Sequence, residues 1–259
     1  MNRTRRSKEL APSVPVPPQF QVDAGRMEMA AGDTVHSLFA PLHYEPGYAY
    51  PLLVWLHGLH GDERHILRIM PLVSMQNYVA VAPRGLEAAA AEEGRSGFGW
   101  RQTDDHIQQA EQRVFDGIET ASKKLHVSPQ RVFLAGFDCG GSMALRLAMS
   151  HPDRFAGVLS LCGPLPMGGK LLANLATIRR LPVFMAVGRY SPEYPQNQVC
   201  DDLRLLHSAG ISVTLRQYPC GHELAPQMLL DVNRWMIEQI TTSNESAAKV
   251  DARRSFRLE

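Results

Sequence analysis

Several things are scarce in this chain of 259 residues, and each scarcity excludes something. There are only four cysteines, Cys139, Cys162, Cys200 and Cys220, with no C-x-x-C pair among them. That spacing argues against a zinc site and against a disulfide scaffold, so reduced thiols in a cytoplasmic protein are expected, with no metal and no cofactor. Net charge is nearly absent: 27 Lys and Arg against 26 Asp and Glu leave +1. No bulk electrostatic attraction to nucleic acid or an anionic membrane follows from that balance. No apolar run approaches the roughly 18 residues of a membrane span. The basic start MNRTRRSKEL is followed by the proline-rich APSVPVPP and not by an apolar core, so a secretory leader is not expected. Internal repeats are also missing.

What is present is a core-forming composition, 44% hydrophobic and 20% charged, enough for one large globular domain. Residues 1–20 and 241–259 read as flexible tails, because they are polar or proline-rich without a periodic apolar face. Residues 21–240 read as a single domain. Short apolar runs at 51–57, 78–83, 131–135, 157–162, 182–188 and 212–218 have the character of strands buried on both faces of a parallel sheet. Residues 35–41 add a candidate outer strand. Between the runs lie helical stripes. Ile107, Ala110, Val114, Ile118, Ala121 and Leu125 recur at steps of three and four, and Met228, Leu229, Val232, Trp235, Met236 and Ile240 do the same. Alternating strands and helices predict an α/β domain, a mostly parallel sheet covered on both faces. Residues 84–104 read as a loop at the carboxyl end of a strand, where such sheets place ligands.

The strongest local pattern is RVFLAGFDCGGSMALRLAMS, an apolar strand entering Gly136-Phe137-Asp138-Cys139-Gly140-Gly141 and then a small-residue helix. This is the strand–turn–helix context of the nucleophile elbow G-x-S-x-G, with Asp138 where the serine belongs. Shifting the register to Cys139 puts Phe137 in the first glycine position, and Ser142 lies a turn inside the helix.

With PLLVWLHGLHGDE, Pro83-Arg84, HPDRFAGVLSLCG and YPCGHE, this elbow resembles the phospholipase/carboxylesterase family, which includes acyl-protein thioesterases, and the related dienelactone hydrolases. The resemblance covers about residues 50–240. It implies an α/β-hydrolase fold without a large cap domain and a small ester-like substrate or ligand. It also implies an oxyanion hole from the backbone N–H groups of Leu59 and Cys139, and a catalytic histidine at His222. His57, Gly58, Phe98 and Trp100 would line the cleft. The family's acid position, after the strand ending at Gly188, holds Ser191, and Glu193 is the nearest carboxylate.

Serine esterase chemistry needs a hydroxyl activated by an oriented histidine, and both the hydroxyl and the orienting acid are replaced here. The expectation is therefore a carboxylesterase- or thioesterase-like hydrolase with a degenerate triad and weak or no conventional activity. Three alternatives stand beside it. One is a non-catalytic binder of small acyl ligands. The second exchanges Ser191 and Asp138 around His222. The third uses Asp138 as a nucleophile at an alkyl carbon, as haloalkane dehalogenases and epoxide hydrolases do, although those carry a cap domain and the dehalogenases a tryptophan where Cys139 stands.

Overall fold

The structure, a computed structural model, describes residues 35–88, 97–168 and 175–255. The expected tail at 1–20 and part of the loop at 84–104 lie outside these residues. In chain order the first elements are β1 (His36–Phe39), β2 (Tyr50–Leu56), α1 (His65–Val73), β3 (Val79–Pro83), β4 (Leu86–Glu87), β5 (Phe98–Gly99) and α2 (Asp104–Lys124). There follow β6 (Val127–Phe137), α3 (Cys139–Ser150), β7 (Gly157–Leu161), α4 (Leu175–Ile178), β8 (Val183–Gly188), α5 (Gln196–Ser208), β9 (Val213–Tyr218) and α6 (Pro226–Ser255).

Seven strands form one sheet in the order β1-β3-β2-β6-β7-β8-β9, parallel except for β1, which runs antiparallel to β3 at the edge. Alternation explains why β2 is buried throughout. Leu52, Val54 and Leu56 join the core under α2 and α3, while Leu53 and Trp55 join the opposite core under α1 and α6. The two predicted helical stripes behave accordingly: Ala110, Val114 and Ala121 seat α2 on one face, and Met228, Val232 and Trp235 seat α6 on the other. This is the α/β-hydrolase architecture, and the described residues hold no cap domain.

Two local differences from the sequence expectation have simple causes. Part of the 84–104 loop pairs as a small antiparallel ribbon, Leu86 opposite Gly99 and Glu87 opposite Phe98. At the other end, the backbone of 241–255 continues α6 as a helix where the sequence predicts a tail. That stretch lacks an apolar stripe, but it contains no glycine or proline and includes several good helix formers, so nothing local stops the helix.

The chain reverses direction across the sheet between β2 and β6. After β2 it adds β3 on one side, between β2 and the edge strand β1, and then returns to place β6 on the other. Ligand crevices of open α/β sheets form at such a switch point, outside the carboxyl ends of the strands. Leu56 pairs with Gly136 at the end of the β2–β6 ladder, so Gly58 and Asp138 leave the sheet beside one another.

Candidate active site

Asp138 sits between β6 and α3 with φ 54° and ψ −127°, a left-handed conformation that costs a non-glycine residue on the order of 1–3 kcal/mol. Its backbone N–H donates to the Leu161 carbonyl at 2.9 Å, and its own carbonyl accepts the Ser142 N–H at 3.1 Å, which ties the turn to β7 and α3. The strain is carried by the central residue. The glycines around it serve close approach: a Cβ on Gly140 would lie 2.4 Å from the carbonyl oxygens of both Leu56 and His57.

The Asp138 carboxylate faces three donors. The Leu59 N–H donates to Oδ2 at 3.0 Å, the Cys139 N–H also stabilises the charge, and Oδ1 lies 3.2 Å from Nε2 of His222. That last approach is close but off-axis, so it is an ion-pair contact and not a full hydrogen bond. Burial pushes the Asp138 carboxyl up, but His222 and the two backbone donors outweigh it and hold the group below the ordinary carboxylate range. Both N–H groups that the sequence assigns to an oxyanion hole are thus turned towards the protein's own carboxylate.

His222 follows β9 and stacks obliquely on Phe137, with ring centres 5.4 Å apart. Its Nδ1 lies 2.9 Å from Ser191 Oγ and 3.6 Å from Glu193 Oε2. Ser191 Oγ also accepts the Tyr194 N–H at 3.1 Å, and the residue is only 5% exposed, whereas the Glu193 side chain is 57% exposed. The structure therefore brings together Asp138, His222 and Ser191, and adds Glu193, whose reach across two residues the sequence leaves undecided. Contact with Asp138 raises the His222 pKa, burial opposes that shift, and the charges of Asp138 and Glu193 reinforce it.

Two residues expected to line the cleft lie beneath it. His57 is 0% exposed and Trp100 is 3% exposed. The Gly85 N–H donates to His57 Nε2 at 2.9 Å, which leaves Nδ1–H to donate to the Gly58 carbonyl at 2.8 Å. Trp100 Nε1–H donates to the His57 carbonyl at 3.0 Å. Both are framework residues that fix the turn after β2, because a buried polar ring must satisfy its nitrogens locally. Gly58 is buried in the same turn, Phe98 is half-buried, and Leu59 exposes its side chain. Cys139 is no substitute nucleophile: burial and the neighbouring Asp138 charge push its thiol up to about 12.

A brace unseen in the sequence holds this turn. Arg84, at the end of β3, binds the buried Glu63 through two 2.7 Å hydrogen bonds and lies 4.8 Å over the Phe98 ring. Both partners stand in recognisable stretches, HGDE and Pro83-Arg84, but only the fold shows that these stretches meet.

The Asp138–His222 pair predicts a pH-dependent stability. A depressed Asp138 contributes stability above its unfolded pKa, near 3.8, and loses it as pH falls. A raised His222 contributes stability below its unfolded pKa, near 6.5, and loses it as pH rises through the folded value. The Tm advantage of the parent over Asp138→Asn is therefore expected to be largest between about pH 4 and 6.5 and to shrink as the pH rises through the raised His222 pKa. A difference that stays flat across pH 5–9 in thermal melts would show that the pair is not ionic.

Comparison with known proteins agrees with this architecture. Residues 47–240 match the family described as Phospholipase/Carboxylesterase. MhqD of Bacillus subtilis (strain 168) is 23% identical over 202 residues, spanning 76% of this chain and 98% of that one. NocK of Nocardia uniformis subsp. tsuyamanensis is 37% identical over 168 residues, 60% of this chain and 45% of that one. Acyl-protein thioesterase 1 of Gibberella zeae is 27% identical over 144 residues, 50% and 61% of the two chains, so these last two relatives are each covered over less than two thirds of their length. Among solved structures, the Bacillus cereus carboxylesterase superposes with a TM-score of 0.64 at 20% identity, covering 81% of this chain and 96% of that one. With a matched region that takes in every strand of the main sheet except the edge strand β1, this chain belongs to the phospholipase/carboxylesterase family of α/β-hydrolases.

Proposed function

We propose that this chain carries an ester- or thioester-type hydrolase site in which the Asp138 carboxylate occupies the oxyanion hole, leaving little or no conventional serine-esterase turnover. The observation that carries this reading is the 3.0 Å hydrogen bond from the Leu59 N–H to Asp138 Oδ2. Acyl transfer places a developing negative oxygen against those donors, which is usually the largest single stabilisation in the reaction. Here an incoming acyl group meets donors already engaged and a like charge beside them. Family membership supports a small ester-like substrate or ligand. No described helix is long and apolar enough to cross a membrane.

The exchanged triad is disfavoured by the placement of Ser191. It is buried on the Nδ1 side of His222, its oxygen accepts a backbone N–H, and the oxyanion donors lie on the far side of the ring. Binding without turnover is favoured by a different observation: Leu59 and Tyr190, from the loops after β2 and β8, leave large side chains exposed that an acyl ligand could cover.

Purified protein is expected to hydrolyse p-nitrophenyl acetate and butyrate no faster than Asp138→Ala does. A binder would show a ligand-dependent rise in Tm without consumption of the ligand. Robust turnover that disappears in Asp138→Ala would overturn the reading, because it would make the aspartate a working acyl nucleophile.

A further inference from the structure

We propose that Asp138 is a nucleophile towards alkyl carbon: Oδ1 attacks an sp3 carbon bearing a halide, and His222 then drives hydrolysis of the resulting aspartyl ester, whose carbonyl oxygen, Oδ2, is already held by the Leu59 N–H. The inference rests on the same occupancy of the oxyanion hole by Asp138, and it gives that carboxylate a reaction.

A carboxylate attacking an acyl carbon forms an unstable anhydride, but at an sp3 carbon it forms an ordinary ester. The elbow prepares Asp138 for this second reaction. The strained turn holds the carboxylate at the tip between the β2 and β6 loops, with 26% of its side chain exposed. Its two oxygens have different surroundings. Oδ2 is fixed by the Leu59 N–H at 3.0 Å, whereas Oδ1 makes the off-axis contact with His222. Oδ1, on the side of the histidine, is therefore the oxygen placed to attack.

In the first step the Oδ1 electron pair forms the new C–O bond, and the C–X bond breaks with its pair leaving on the halide. A halide departs without a proton, so this step needs no acid. In the ester, Oδ2 becomes the carbonyl oxygen, already at donor distance. When water adds to Cγ, the negative charge develops on Oδ2, where the Leu59 N–H stabilises it. The donors that no longer serve an external acyl group thus serve the protein's own ester.

His222 Nε2 is buried without an aligned hydrogen-bond partner, 3.2 Å from Oδ1. While Asp138 is charged, the ion pair favours the protonated ring. Alkylation removes that charge, which favours loss of the proton to solvent and leaves neutral Nε2 as the base. Ser191 Oγ at 2.9 Å and Glu193 at 3.6 Å hold the opposite nitrogen. Nε2 then takes a proton from water as the water oxygen bonds to Cγ. The Cγ–Oδ1 bond breaks, and the departing alkoxide recovers the proton from Nε2. The new carboxyl ionises, so the balance is alkyl halide plus water giving alcohol, halide and a proton.

The test uses 1-bromobutane and 1-iodobutane. The parent is expected to release halide, and a single turnover in 18O-water is expected to place one heavy oxygen in the Asp138 peptide. His222→Gln, checked for folding by its thermal melt, is expected to accumulate one butyl group on Asp138 in peptide mass mapping. Asp138→Asn, which keeps the side-chain shape, is expected to lose the adduct. The oxygen-label experiment needs only the parent, so the test survives if His222→Gln does not fold. No 18O in Asp138 with no halide release, or a butyl group on the exposed Cys200 alone, would overturn the proposal. Either failure leaves the acyl-ester result standing, and acyl-ester turnover would sink the earlier reading independently.

Discussion

Asp138→Ser combined with Ser191→Asp is expected to raise hydrolysis of p-nitrophenyl butyrate by on the order of 1,000-fold or more, while each single change gains about tenfold at most. The geometry explains the non-additivity. Asp138→Ser removes the carboxylate from the Leu59 and Cys139 donors and leaves a hydroxyl on the Nε2 side of His222. His222 then has only Ser191 at 2.9 Å and the exposed Glu193 at 3.6 Å on its Nδ1 side, with no buried carboxylate to fix its tautomer. Ser191→Asp alone supplies that carboxylate but leaves Asp138 in the hole, and puts two acids, one half-buried and one buried, around one imidazole. Only the double change assembles nucleophile, base, acid and vacant oxyanion hole together. The new aspartate has partners waiting, because the Tyr194 N–H and His222 Nδ1 already meet the oxygen at position 191. Initial rates on folded protein decide the matter. A folded double variant as inactive as the parent would show that Leu59 and Cys139 cannot serve an external oxyanion.

Gly140→Ala is expected to be the most damaging small substitution near the site, costing about 3 kcal/mol or more. In a domain of this size that corresponds to a fall in Tm of roughly 6–12 °C, or to loss of soluble protein. The added methyl would sit 2.4 Å from two backbone oxygens, those of Leu56 and His57, and backbone cannot swing aside as a side chain does. The same close approach brings the first turn of α3 against the end of β2, so that Cys139 and Leu59 aim at one carboxylate. Gly47→Ala is the matched control: a Cβ there meets nothing within 4 Å, and a change within about 0.5 kcal/mol is expected. Equal melts for the two variants would mean that α3 does not pack on β2 as described.

Part of the site was legible because its signals are local. GFDCGG between an apolar strand and a small-residue helix marks the elbow, and Pro219 to Glu223 after the last strand marks His222. Glu193 was ambiguous because its distance to His222 depends on how the chain turns after β8. Glu63 and Arg84 belong to separate motifs, and nothing in either motif says that they pair. His57 and Trp100 lie beneath the cleft and not on its wall, and the sequence does not show this for a related reason. Aromatic and imidazole rings beside a loop fit a cleft wall and a buried frame equally well until their hydrogen-bond partners are known.

The sequence by itself determined the α/β class, the order of strands and helices, and the positions of Asp138, Ser191 and His222 along the chain. These follow from period, propensity and turn chemistry, which act over a few residues. Only the tertiary structure decided what the Asp138 carboxylate does. Its partner Leu59 is 79 residues away, and their hydrogen bond exists because β2 and β6 are neighbours that end in register. An aspartate at an elbow is compatible with an inert residue, an acid or a nucleophile. Which donors surround its two oxygens is a property of strand order and close backbone packing.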